Sequence, residues 1–257
     1  MQMDENSKNA SWFLKGRNSQ ANADYYQELV SFYEADNSDA LLKLRSFALY
    51  APRQVVSDFL VRYELFRLIE NVAGSILEFG VFNGQGLFSW AHLSSILEPN
   101  NITREIIGFD TFAGFEGITD RDGKEAPDVV HEGGFKVDAY ERISKAIKIF
   151  DMNRFIGHVP KIRLVKGDVT KTLEHFLEQN QHIVPAVLYL DMDIYKPTSF
   201  VLERLLKRVP KGGVVVFDEF GHRSYPGETA ALLASVDVGE IALKRFPFCS
   251  RIAYFVR

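Results

Sequence analysis

The sequence predicts an α/β fold with a mostly parallel sheet, closed by an antiparallel C-terminal hairpin and preceded by extra helices. Two observations carry this. From residue 75 onward, short apolar runs alternate with longer amphipathic segments, the pattern of strands joined by crossover helices and covered on both faces. The last two apolar runs, 241–248 and 251–256, are separated only by Cys249-Ser250, which suits a hairpin and not a crossover. The chain length of 257 residues fits one large domain, or one domain with a small appendage.

The elements follow in order. Residues 1–22 are rich in Asn, Ser, Gln and Lys and read as a mobile tail. Residues 23–72 read as a helical N-terminal layer: Leu41, Leu42, Leu44, Phe47 and Leu49 cluster, and Phe59, Leu60, Leu65, Phe66 and Ile69 recur near the 3.6-residue period. Pro52 divides that layer into at least two helices. Its aromatic content makes it a candidate lid or homo-oligomer surface. Residues 73–257 form the α/β domain. Its expected strands are 75–81, 105–109, 162–165, 186–190 and 214–217, with helices over 87–97, 140–150, 172–179 and 199–209 between them. The polar, Gly-containing stretch 119–137 is too long for an ordinary connection and reads as a mobile flap over a site.

Composition removes several function classes. The formal net charge of −4 lacks the basic excess of a chain built on phosphate contacts, so nucleic acid is not an expected partner. The single cysteine, Cys249, excludes an internal disulfide framework and a cysteine-rich zinc site. No apolar run approaches the ~18 residues of a membrane span. The polar start Met1-Gln2-Met3-Asp4-Glu5-Asn6 is unlike a signal peptide, so a cytoplasmic protein is expected.

The residues that carry chemistry sit where the strands end. Glu78-Phe79-Gly80-Val81-Phe82-Asn83-Gly84-Gln85-Gly86 joins the first strand to a helix. Its spacing, Gly-x-x-x-Gly-x-Gly, departs from the dinucleotide fingerprint, and its carboxylate would favour a cationic ligand over a pyrophosphate. Asp110, at the end of the second strand, lies where nucleotide-binding sheets place an acid that accepts hydrogen bonds from a ribose diol. Asp168 suits two roles equally, contact with an adenine amino group or the cap of the following helix. The fourth strand delivers Asp191-Met192-Asp193-Ile194-Tyr195 and the fifth Asp218-Glu219. Four carboxylates on two adjoining strand ends repel unless a cation joins them, and oxygen-only donors select a hard ion such as Mg²⁺. His222, just beyond, is a candidate base or substrate contact. His92, His158, His175 and His182 show no metal-ligand spacing. Glu228 opens a helix, where a negative charge is favourable without any ligand, with a substrate role as the alternative.

Together these residues resemble the macrocin O-methyltransferase family of S-adenosylmethionine-dependent sugar methylases. The resemblance spans about residues 55–230. It rests on Glu78-Phe79-Gly80-Val81-Phe82-Asn83-Gly84, Asp110-Thr111-Phe112-Ala113-Gly114-Phe115, Gly167-Asp168-Val169, Asp191-Met192-Asp193-Ile194-Tyr195, Pro210-Lys211-Gly212-Gly213 and Asp218-Glu219. It implies a Rossmann-like class I methyltransferase with a seven-stranded sheet. It implies cofactor contacts from Glu78, Gly80, Phe82, Gly84, Asp110, Thr111, Phe112, Asp168 and Asp191. Asp191, Asp218 and Glu219 are the implied Mg²⁺ ligands, Asp193 the implied general base, and Tyr195 and His222 the implied neighbours of a hydroxylated small-molecule acceptor, a sugar or glycoside. Two departures stand out: Asp218-Glu219 where the family commonly has two aspartates, and Lys196-Pro197-Thr198 after Tyr195. The principal alternative is a metal-dependent glycosyltransferase using Asp191-Met192-Asp193 to hold a sugar nucleotide, which would leave the glycine-rich loop and Asp110 without a task.

Overall fold

The computed structural model describes residues 20–123 and 128–257. The expected tail therefore lies outside the described residues up to residue 19, and residues 20–22 already belong to a helix. The chain divides into two compact units, 1–56 and 57–257.

In the first unit, α1 (Gln20–Ala35), α2 (Ala40–Arg45) and α3 (Phe47–Tyr50) follow one another closely. Asp39 caps α2 by accepting from Leu42 N–H at 3.0 Å. The Tyr50 hydroxyl donates to Asp36, and Lys43 Nζ donates to the Tyr33 carbonyl at 2.8 Å. None of these three helices has a buried residue; Leu41, Leu44 and Phe47 stay exposed.

The boundary between units falls inside α4 (Arg53–Ile69), 16 residues before the expected one at 72/73. The reason is packing: Val61, Leu65, Phe66 and Ile69 are wholly buried in the core of the second unit, so this helix is part of the sheet's cover.

The second unit continues with β1 (Ser75–Phe79), α5 (Gln85–Leu97), β2 (Ile106–Asp110), α6 (Tyr140–Asp151), β3 (Ile162–Lys166), α7 (Val169–Gln179), β4 (Pro185–Leu190), α8 (Tyr195–Leu205), β5 (Val214–Phe217), α9 (Gly227–Ser235), β6 (Lys244–Phe246) and β7 (Cys249–Val256). The seven strands form one sheet in the order β3-β2-β1-β4-β5-β7-β6. The first five are parallel, and β7 pairs antiparallel with both β5 and β6, as the hairpin pattern required. Alternate residues of each strand feed opposite cores. Ile76, Ile106, Val187 and Val214 join α4 and α5 on one face, while Leu77, Ile107, Leu188 and Val215 join α7, α8 and α9 on the other.

Three helices begin earlier than their apolar periodicity suggested, α5 by two residues and α7 and α8 by three and four, the last two for different local reasons. Asp168 caps α7, so helix starts at Val169. Pro197 sits in the first turn of α8, where its missing N–H costs nothing, so the helix begins at Tyr195 instead of after the proline.

Candidate active site

The ends of β1, β2, β4 and β5 converge, and the order reversal between β2 and β4 around β1 makes this edge the crevice of an open α/β sheet. Gly80 explains how closely the strand ends meet. Its φ is +96°, and a Cβ there would stand 1.8 Å from the Asp191 carbonyl oxygen. Only glycine allows the loop after β1 to cross the end of β4 this tightly.

Asp110 organises the loop. Its Oδ2 accepts from Val81 and Phe82 N–H at 2.7 and 2.8 Å, and its Oδ1 from Phe112 N–H at 2.6 Å. Phe82 and Phe112 hold the left-handed φ values +50° and +53°, costly for bulky residues and sustained here by these bonds. The carboxylate stays half-exposed, and with three of its roughly four lone-pair sites taken by these N–H groups, one is left for a ribose hydroxyl. Phe112, by contrast, is a core residue, packed edge-on against Tyr140 at 5.3 Å. Thr111 Oγ1 donates to Gly114 C=O at 2.7 Å and accepts from Ala113 N–H at 3.0 Å, closing a local turn. Gly84, at φ +89°, stands at the N-cap of α5.

Glu78 has a protein cation where a cationic ligand was expected. It is buried, accepts from Trp90 Nε1 at 2.7 Å and pairs with Arg62 at 3.7 Å. The Arg62 guanidinium lies 4.5 Å from the Tyr189 ring centroid. Burial pushes the Glu78 carboxyl up to about 7, and Arg62 pulls it partly back. Of the two roles open for Asp168, the cap is the one the structure contains: it accepts from Thr170 N–H at 2.9 Å and pairs with Lys171 at 3.0 Å. These bonds hold its carboxyl below the usual range against the opposing effect of burial.

The acidic side of the crevice gathers around Glu228. This carboxylate is wholly buried. Its Oε1 accepts from Met192 and Asp193 N–H at 3.1 and 3.0 Å, and its Oε2 from Glu219 N–H at 3.1 Å. One side chain from α9 thus fastens the loops after β4 and β5 together. The acid at the head of a helix was visible in the sequence; that it reaches two strand ends was not. Asp193 sits at φ +61° in a three-residue turn closed by Ile194 N–H to Met192 C=O at 2.7 Å, the strained form of that turn. Asp191, Asp193 and Glu228 each offer an oxygen within 4.8 Å of the others. Burial pushes the Asp191 and Glu228 carboxyls upward, and Asp193 and Asp191, which face Glu228, add to its rise. A hard divalent cation fits this oxygen-only set and would relieve the repulsion.

The expected ligand pair Asp218-Glu219 is placed differently. Asp218 is buried, accepts from the Tyr189 hydroxyl and pairs with Arg251, which also reaches Asp58 at 2.9 Å. Its charge is already met by Arg251, which β7 brings beside β5. Among the described residues the gathered acidic group therefore contains Glu228 and neither Asp218 nor Glu219. Tyr195 opens α8, with Arg121 4.5 Å from its ring centroid. His222 lies on an exposed turn, its ring 5.5 Å from that of Tyr225. The expected flap is anchored at its start by buried Asp122; its residues 124–127 lie outside the described residues.

The profile of the macrocin-O-methyltransferase (TylF) family matches residues 52–231. A comparison with curated protein sequences finds no match. Among solved structures, CalS11, a calicheamicin methyltransferase, is 30% identical over 94% of both chains, with a TM-score of 0.89. An apo structure of CalS11, described as a TDP-rhamnose 3'-O-methyltransferase of calicheamicin biosynthesis, is 29% identical over 94% of this chain and 96% of that one, at a TM-score of 0.81. The O-methyltransferase NovP shares the fold, at 18% identity, 81% coverage of each chain and a TM-score of 0.58. These matches do not favour the glycosyltransferase alternative: the seven-stranded sheet is that of the methyltransferase structures it matches, and the chain belongs to the macrocin-O-methyltransferase (TylF) family as an S-adenosylmethionine-dependent O-methyltransferase.

Proposed function

We propose that the acceptor is a hydroxyl of a sugar, carried on a nucleotide or a glycoside, and that transfer is assisted by Mg²⁺ held in the cluster of Asp191, Asp193 and Glu228, with Asp193 also the proton acceptor. The observation that carries this reading is the approach of three carboxylates within 4.8 Å at the crevice edge. The likeness to CalS11, described as acting on TDP-rhamnose, supports a nucleotide-linked sugar in particular. When bound, S-adenosylmethionine supplies a methyl group already activated on sulfur, and Mg²⁺ supplies Lewis acidity at the acceptor oxygen.

The chain's own residues do the rest. Asp110 and Gly80 shape the loop after β1 and leave the Asp110 carboxylate with one of its roughly four lone-pair sites for a hydroxyl of the cofactor's ribose. Glu228 holds the backbone of Met192, Asp193 and Glu219, so the acid-bearing turns keep a fixed separation. Asp193, on its strained turn, takes the acceptor's proton, a role worth about 10²–10⁴-fold in rate. Tyr195 and His222 border the acceptor. Asp218 is better suited to a structural pairing with Arg251 than to the cation, because its charge is already compensated. S-adenosylmethionine is an intracellular metabolite, so this reaction requires the cytoplasm; no described helix is long and apolar enough to cross a membrane. The exposed Leu41, Leu44 and Phe47 suit a homo-oligomer, which sedimentation velocity would read.

The test is incubation with S-adenosylmethionine and TDP-rhamnose, with and without Mg²⁺, followed by mass spectrometry of the sugar nucleotide. The expected product carries one added methyl and forms only with the cation. Undiminished methylation in chelator would remove the metal from the mechanism. Transfer confined to glycosides would remove the nucleotide-linked acceptor.

A further inference from the structure

Ile194 stands at the N-cap of α8 and offers no side-chain bond to the helix's first N–H groups. A buried helix start needs a partner for them. Here that partner comes from 73 residues away: Asp122 Oδ1 accepts from Tyr195 N–H at 2.5 Å. Asp122 is 3% exposed, and its Oδ2 accepts from Thr119 N–H and Oγ1 at 2.6 and 2.9 Å. The neighbouring Arg121 lies over the Tyr195 ring. The contact is tight on its far side too, since a Cβ on Gly227 would stand 2.6 Å from Asp122 Oδ1, 2.5 Å from Tyr195 N and 2.7 Å from the Asp193 carbonyl oxygen.

The segment Asp193-Ile194-Tyr195 is therefore held from both ends by buried carboxylates that belong to neither its strand nor its helix. Glu228 takes the Asp193 N–H, and Asp122 takes the Tyr195 N–H. Between them lies the left-handed turn on which Asp193 sits, a conformation that persists only where its surroundings over-determine it. Glu228 is itself one of the clustered acids, whereas Asp122 is outside the cluster and hydrogen-bonds to the adjoining backbone at Tyr195. We propose that Asp122 is a positioning residue: by capping Tyr195 it fixes the turn that aims Asp193 at the cation and the acceptor hydroxyl. The proposal rests on the reading of the acidic cluster under Proposed function.

The experiment titrates Mn²⁺ alone, by calorimetry, into the full-length protein and its Asp122→Ala, Asp122→Asn, Thr119→Ala, Asp193→Asn and Asp122→Ala/Asp193→Asn variants. Asp122→Ala is expected to weaken Mn²⁺ about tenfold, one lost interaction's worth. Asp122→Asn, which keeps an oxygen for Tyr195 N–H, should stay within about twofold of the parent by the same reckoning. Thr119→Ala removes the Thr119 hydroxyl while leaving the Tyr195 bond, and should change nothing. In the Asp193→Asn background, Asp122→Ala should add no further loss, because its effect passes through Asp193. Amide exchange at Tyr195 should accelerate in Asp122→Ala and not in Thr119→Ala, with cooperative unfolding retained in both. Unchanged Mn²⁺ affinity in Asp122→Ala, an equal loss in Thr119→Ala, or additive losses in the double variant would each overturn the positioning role while leaving the cation reading intact. No Mn²⁺ binding by the parent protein would overturn the cation reading, and this inference with it.

Discussion

Glu78 makes a pH-dependent difference in stability that can be worked from its surroundings. In the folded chain its carboxyl titrates at about 7, against an ordinary 4.5, because burial outweighs Arg62. A carboxyl raised on folding binds more protons folded than unfolded between those two values. Its contribution is therefore fully present below about 4.5 and is lost as pH rises through about 7. The interval from 4.5 to about 7, at 1.36 kcal/mol per pH unit, corresponds to about 3 kcal/mol. Glu78→Gln keeps the shape and an oxygen for Trp90 Nε1 and cannot titrate. It should match the parent near pH 4.5 and exceed it by about 3 kcal/mol at pH 8, as a buried ion pair with imperfect geometry allows. Arg62 is paired at 3.7 Å, longer than a good hydrogen bond, and its Nε has no partner among the described residues, which is the imperfection at issue. Urea denaturation of both proteins at intervals from pH 4.5 to 8 measures the difference directly. A difference independent of pH, or one that moves in the parent's favour as pH rises, refutes the reasoning and makes Glu78–Arg62 a net stabilising pair.

The remaining expectations follow from single contacts. Gly80→Ala must accommodate both a left-handed φ and a Cβ 1.8 Å from a backbone oxygen, and should cost about 3 kcal/mol or more in urea denaturation; a cost under about 1 would mean the strand ends can part. Asp168→Ala should lose about 1 kcal/mol of stability with its cap, while Asp168→Ser keeps the cap; S-adenosylhomocysteine affinity that falls in Asp168→Ser would restore the adenine contact. Asp193→Asn should bind S-adenosylhomocysteine as the parent does and lose about 10²–10⁴-fold in turnover, and normal turnover would remove Asp193 as the base.

What the sequence made legible, and what it hid, divides on sequence distance. Strands and their order of use were legible because each is a short apolar run ending in a polar residue: Val214–Phe217 was read with the observed bounds, and the hairpin around Cys249-Ser250 became β6 and β7. That acids crowd the ends of β4 and β5 was legible for the same reason. Which acid does what was not, because a carboxylate's role depends on the cation or N–H it meets, and those come from remote elements. Glu78 was read as facing a ligand's charge, yet Arg62 on α4 supplies that charge from within the core. Asp218 was read as a metal ligand, yet Arg251, 33 residues later on β7, occupies it and ties it to Asp58. Glu228 was read as a charge at its helix start or a substrate contact, although its three bonds go to the backbone of other loops. Asp122 appeared only as part of a polar stretch, since nothing near it in sequence shows that Ile194 leaves a helix uncapped. In each case the acid itself stood in plain view and the deciding partner did not. Local pattern identifies a site by the residues it exposes at strand ends, whereas function within the site is divided by long-range pairing: Glu78 and Asp218 meet an arginine and hold the fold together, while Glu228 accepts from backbone N–H groups beside other acids, where a cation would relieve the repulsion.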